Sequence, residues 1–145
     1  MNIWKNCELI FIPAMSGFSA QIIKLLLYYV VHRRINFKRL FEMGGMPSSH
    51  SAAVASLSLI VALKTGFTSV VFAVTVFFSF LVIYDAAGLR KAAGQQATIL
   101  NKILDEFNKK GKFSEEKLIE LIGHTPVEII IGILYGFLLA FILYR

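Results

Sequence analysis

The sequence predicts an all-α fold. It reads as a polytopic membrane helical bundle of about four spanning helices with a cytoplasmic helical connection, one domain over residues 1–145. Three observations predict it. Hydrophobic residues make up 57% of the chain and mean hydropathy is +0.68, where soluble domains average roughly 45–50% apolar. The apolar residues fall into four runs close to the length of a bilayer crossing. The basic residues gather in the connections on one side of those runs.

A spanning helix needs about 20 residues at 1.5 Å each. The first run, from about Leu9 to Val31, meets this despite Pro13, Gln21 and Lys24. Met1–Cys7 carries a single Lys and no small-residue cleavage site, so this run is expected to stay in the protein. The second, about Ser49 to Leu63, is short and rich in Ala and Ser; it reaches spanning length only if its helix starts near Pro47. The third covers about Phe67 to Tyr84 and the fourth about Val127 to Tyr144.

Charge sets the orientation. Arg33, Arg34, Lys38 and Arg39 follow the first run, and Arg90, Lys91, Lys102, Lys109, Lys110, Lys112 and Lys117 lie between the third and fourth. The opposite side holds only Lys5, Lys64 and Arg145. By the positive-inside rule the two basic connections are cytoplasmic and both termini lie outside, which fits a multi-pass protein of the cell membrane. Within the long connection, Arg90, Gly94, Ala97 and Asn101 recur on one face of a helix. Leu100, Ile103, Leu104 and Phe107 set that helix along the membrane or on the bundle. Asn108–Ser114 reads as a solvated turn, and Ser114–Ile122 as a short helix whose Ser-Glu-Glu start suits an N-terminus. A single cysteine, Cys7, excludes a disulfide framework and a Cys-based zinc site, and no nucleic-acid partner is expected.

Three histidines supply the chemistry. His32 falls in the basic Val-His-Arg-Arg loop and reads as interfacial. His50 closes Gly44-Gly45-Met46-Pro47-Ser48-Ser49-His50, and His124 opens Gly-His-Thr-Pro-Val-Glu. Each lies near a proline at the expected first helical position, where a missing N–H costs nothing, and both helices start on the same side. A helix start offers unpaired N–H groups and the positive end of its dipole, and so accepts phosphate. Gly45 permits close backbone approach, and Ser48 and Ser49 add hydroxyl donors. Each motif also has a purely structural reading, as a re-entry turn with a capping Ser, or as a capping box in which Glu128 only bonds the Thr125 amide.

Lys24 lies roughly 10 Å inside the first span, where an ionisable group is a functional candidate unless it snorkels. Gln21 shares its face. Asp85 and Arg90 stand at the membrane end of the third run, as site residues or as a simple ion pair. Gln96 follows Asp85 by eleven residues, as Asn101 follows Arg90, so each falls on its partner's helical face. Small residues in the second run, Ala52, Ala53, Ala55, Ser56 and Ser58, also permit a homodimer.

Three motifs in order carry a resemblance over nearly the whole chain: Gly-Gly-Met-Pro-Ser-Ser-His-Ser-Ala, Tyr-Asp-Ala-Ala-Gly-Leu-Arg-Lys-Ala-Ala-Gly-Gln-Gln-Ala-Thr-Ile-Leu-Asn, and Gly-His-Thr-Pro-Val-Glu-Ile. Together they resemble the divergent type-2 phosphatidic acid phosphatase family, related to acid phosphatases and vanadium-dependent haloperoxidases. Pro47-Ser48-Ser49-His50 is similar to that superfamily's P-S-G-H element, with Ser49 for Gly. His124 to Glu128 is similar to its H-x3-D, with Glu for Asp. The chain departs elsewhere: Val31 stands where the basic K-x6-R element counted from Lys24 would need Arg, and no Ser-Arg pair stands six residues before His124.

The resemblance implies a metal-independent, cofactor-free phosphatase acting on a membrane lipid phosphate or polyprenyl phosphate. His124 would be the nucleophile, Glu128 would hold its other nitrogen, and His50 would be the general acid. Lys24, Arg90, Ser48, Ser49 and Gly45 would hold phosphate, with Asp85, Gln96, Asn101 and Gln21 in support. Two further classes stay open, a phosphate-headgroup carrier or transporter without turnover, and a structural membrane protein.

Overall fold

The computed structural model describes residues 7–34, 45–108 and 123–144, with the side chains of 89–93 and 106–108 outside that description. Among the described residues five α-helices follow in order: α1 (Glu8–His32), α2 (Ser49–Thr65), α3 (Val70–Tyr84), α4 (Arg90–Asn108) and α5 (Pro126–Leu143), with a π-helical turn, Asp85–Leu89, joining α3 to α4. The helical bundle expected from the sequence is what forms. The helix expected over Ser114–Ile122 lies outside the described residues, as do Gly44, Lys38 and Arg39.

Among the described residues, three helical stretches are long and apolar enough to cross a membrane: Glu8–His32, Val70–Gly88 and Pro126–Leu143. The third begins at Val70 rather than Phe67 because Ser69 caps it, its hydroxyl accepting from the Phe72 amide at 3.1 Å. The second expected span is different in kind. With 17 residues, α2 is about 25 Å long, short of a roughly 30 Å hydrocarbon core. It packs against α1, α3 and α5, so its polar side chains meet protein rather than lipid.

The bundle is built with small residues inside and large ones outside. Ser16, Ala20, Ala52, Ser51, Ser56 and Ala140 are fully buried, while Ile10, Phe18, Val31, Phe77, Phe78, Leu134 and Phe141 are exposed. In water such a surface would aggregate; in a bilayer it is the lipid face, and close helix approach supplies the packing. The approach is tightest between α2 and α5. A Cβ on Gly132 would lie 2.6 Å from the Ser48 carbonyl oxygen, and one on Gly136 would fall on the Ala52 carbonyl itself. Gly132, Gly136 and Ala140, one every four residues, form the buried stripe of α5.

Buried hydroxyls find partners at once. Ser16 donates to the Ala52 carbonyl at 3.1 Å, and Ser58 and Ser79 share a 2.9 Å bond between α2 and α3. The small residues of α2 are thus engaged within one chain, which removes the sequence argument for a homodimer through that face.

The elements also order the two ends of the bundle. Lys64 closes a 2.8 Å ion pair with Glu8 at the far end. The starts of α2 and α5 and the exit of α3 meet at the other end, where the Ser48 amide donates to the Glu128 carbonyl and the His124 amide donates to the Ala86 carbonyl, both at 3.1 Å.

Candidate functional site

Local sequence determines how each histidine enters this end. Pro126 is in the first turn of α5 and Thr125 is its N-cap, its hydroxyl accepting from the Glu128 amide. The expected capping box therefore forms, and the Glu128 carboxylate returns to accept from the Thr125 amide at 3.2 Å. The same oxygen, Oε2, also lies 3.0 Å from His124 Nδ1. The structural and functional readings of Glu128 thus coexist in one atom. An ionised carboxylate only accepts, so Nδ1 donates to Glu128, and in the neutral imidazole Nε2 then keeps its lone pair. The His124 side chain is 2% exposed, and its Nε2 is buried with no hydrogen-bond partner among the described residues.

The α2 start differs from expectation. Pro47 is not the first helical residue; it precedes Ser48, the N-cap, and follows a cis Met46–Pro47 bond. Ser48 is fully buried, and its hydroxyl accepts from both the Ser51 amide and the Ser51 hydroxyl. The oxygen of that hydroxyl is taken up by capping, and its full burial keeps it from the surface. Ser49 and His50 begin the helix, and the His50 ring centroid lies 6.3 Å from that of His124, at 59°. The two helix N-termini, with their positive dipole ends, thus bring both rings to one place.

Lys24 points into the bundle, not into lipid. It is 8% exposed and close enough to Glu128 to interact with it electrostatically. Its stem runs beside Gly45, whose Cβ, if present, would lie 3.8 Å from Lys24 Cδ. Gly45 has φ +82°, a conformation that favours glycine. Beside Lys24 opens a pocket of about 330 Å³ that reaches the surface past Tyr28, His32 and Met46. Gln21, one turn before Lys24, has a buried Oε1 with no partner among the described residues.

The remaining candidates divide. Asp85 is half-buried beside Ala86, at the same end. Gly94, Ala97 and Asn101 form the buried face of α4 that their spacing predicts, and the Arg90 side chain lies outside the described residues. Gln96 is exposed, away from that face. The eleven-residue spacing from Asp85 assumed a continuous α-helix, and the π-turn at Asp85–Leu89 shifts the register. Such turns are frequent at functional sites. No group of three or more metal-ligating side chains forms among the described residues.

Sequence reasoning missed Ala86, whose carbonyl holds the His124 backbone, and Gly132 and Gly136, which set the α2–α5 distance. The repeat of small residues every fourth position in α5 was the available signal for the glycines. Nothing local marks Ala86.

The sequence model of the divergent PAP2 family matches residues 5–139. The chain is 42% identical over 146 residues to a protein of Bacillus subtilis (strain 168) described as the uncharacterized membrane protein YuiD, covering 90% of this chain and 92% of that one. No solved structure matches. The chain belongs to the divergent PAP2 family.

Proposed function

We propose that this member of the divergent PAP2 family is a membrane-embedded lipid-phosphate phosphatase that hydrolyses phosphomonoesters or diphosphates of amphiphilic substrates. One observation carries the reading. His124 keeps a buried, unpartnered Nε2 while Glu128 holds Nδ1, and the His50 ring stands 6.3 Å away. That spacing leaves room for a phosphoryl group, with the lone pair of His124 Nε2 turned to phosphorus and His50 donating to an ester oxygen.

Nε2 of His124 attacks phosphorus, forming an N–P bond as the ester P–O bond breaks. The departing alkoxide takes a proton from His50, which then removes one from water. That water attacks phosphorus, breaks the N–P bond and releases inorganic phosphate. Glu128 fixes the His124 tautomer and stabilises the ring as it becomes positive. Lys24, Arg90, Ser49 and the backbone at Gly45 balance the phosphate charge, while Gln21, Asp85 and Asn101 support the headgroup. Arg33 and Arg34 stand just past the same end of α1, so this site faces the cytoplasm under the positive-inside rule.

The test is phosphate release by the purified chain from a short panel of lipid phosphates, compared with His124→Ala and His50→Ala. Loss of release in both variants, with unchanged thermal unfolding, supports the reading. Binding without release by the wild type would favour a headgroup carrier, and full release by His124→Ala would refute the mechanism.

A further inference from the structure

We infer that the groove between α2, α3 and α5 holds one hydrocarbon chain of the phosphate-bearing lipid. This rests on the proposed phosphatase site but concerns a different part of the molecule. The groove has a volume of about 290 Å³ and is lined by residues including Ala55, Leu59, Phe72, Val76, Phe80 and Ile83. It lies where α3 and α5 separate across α2.

Its chemistry selects the occupant. Only two of its lining residues, Ser58 and Ser79, carry polar side chains. Their oxygens lie 2.9 Å apart, so one hydroxyl donates to the other while its partner donates to a carbonyl of its own helix, Val54 or Thr75, at 2.8 Å. The groove therefore presents mostly carbon and hydrogen to whatever fills it, and a ligand finds no free hydroxyl donor on Ser58 or Ser79. Because α3 has the length and hydropathy of a span, the groove lies in the hydrocarbon layer, where its natural occupant is an alkyl or prenyl chain.

Length and position tie that chain to the histidine end. From Phe72 to Ile83 the groove follows α3 for about 16 Å, close to the roughly 15 Å of half a hydrocarbon core. Its volume is roughly ten water-sized units of about 30 Å³, room for one chain and not for two. Ile83 lies one helical turn before Ala86, about 4.5 Å along the axis, and the Ala86 carbonyl accepts the His124 amide. A lipid with its phosphate at the histidines thus meets the groove within one turn.

The experiment uses the full chain in phosphatidylcholine nanodiscs. Phosphatidic acid with a diazirine in one acyl chain is photolysed there, and the labelled residues are mapped by mass spectrometry. Phosphatidylcholine carrying the same diazirine chain is run alongside. We expect several-fold more label on Leu59, Val76 and Phe80 from phosphatidic acid than from phosphatidylcholine. The label on Leu59 and Phe80 should fall to the level of outward-facing Val74 and Phe77 when the groove is filled by Ala55→Trp or, independently, by Val76→Trp.

Equal labelling by the two lipids would assign the groove to bulk acyl chains and overturn the inference. A photoproduct joining the groove to a second copy of the chain, in place of lipid label, would overturn it too. Labelling does not require turnover. If no phosphate is released but the selective label persists, the groove stands while the phosphatase reading fails. If a soluble aryl phosphate is hydrolysed but the selective label is absent, the groove fails alone.

Discussion

Substituting Glu128 separates its two roles. Its Oε2 accepts from the Thr125 amide at 3.2 Å and from His124 Nδ1 at 3.0 Å. In Glu128→Gln one amide oxygen can still accept from Thr125, so the cap largely survives. The negative charge beside the imidazole does not. At the distances between this carboxylate and the ring, an effective dielectric near 20 gives an attraction of about 3 to 5 kcal/mol. In the proposed mechanism His124 acquires a positive charge as it attacks phosphorus. At 1.36 kcal/mol per decade, Glu128→Gln should slow phosphate release by about 10²- to 10⁴-fold.

Thr125→Ala is the matched control. It removes the other half of the capping box, the Glu128 amide to Thr125 hydroxyl bond, and should cost about 1 kcal/mol of stability with rates within severalfold of wild type. The assay is inorganic phosphate released from phosphatidic acid in mixed micelles, with thermal unfolding of each variant in the same detergent. If Glu128→Gln keeps activity within threefold of wild type while unfolding normally, Glu128 is a cap and nothing more, and the orientation argument for His124 is wrong.

Gly136→Ala should destabilise the bundle by about 1–3 kcal/mol through overpacking, because its Cβ would fall on the Ala52 carbonyl; detergent thermal unfolding reads this directly. Lys24→Met, close in shape but uncharged, should raise KM for lipid phosphates about tenfold or more while leaving the chain folded, and Lys24→Arg should recover part of the loss. Lys64→Met breaks the pair with Glu8, which is 42% exposed at the far end. It should change stability by no more than about 1 kcal/mol and leave phosphate release unchanged.

The fold was legible where a single helix carries its own signal. Apolar length marked α1, α3 and α5, and the spacing of Gly94, Ala97 and Asn101 marked the buried face of α4. Thr125, Pro126 and Glu128 spelled out the start of α5 because a cap is a local device. The placement of Pro47 was not legible, since the same residues suit a first helical turn or the approach to a cap. The π-turn at Asp85–Leu89 escaped as well, and with it the register that turns Gln96 outward. The Ala86 carbonyl within that turn accepts from the His124 amide, some forty residues away, and no local pattern encodes that contact. The two histidines were legible as candidates from their helix starts; their 6.3 Å separation depends on Gly132 and Gly136 letting α2 and α5 close together.

The proposed catalytic pairing of the two rings is tested most directly by trapping phosphorus on one of them. With p-nitrophenyl phosphate, whose leaving group needs no proton, His50→Ala should form the phosphoenzyme but fail to hydrolyse it. Acid-labile, base-stable phosphate should then accumulate on the peptide bearing His124 and be absent from His124→Ala. Turnover by the wild type with no phosphate ever found on that peptide, or with phosphate on another residue, would contradict the assignment of His124 as nucleophile.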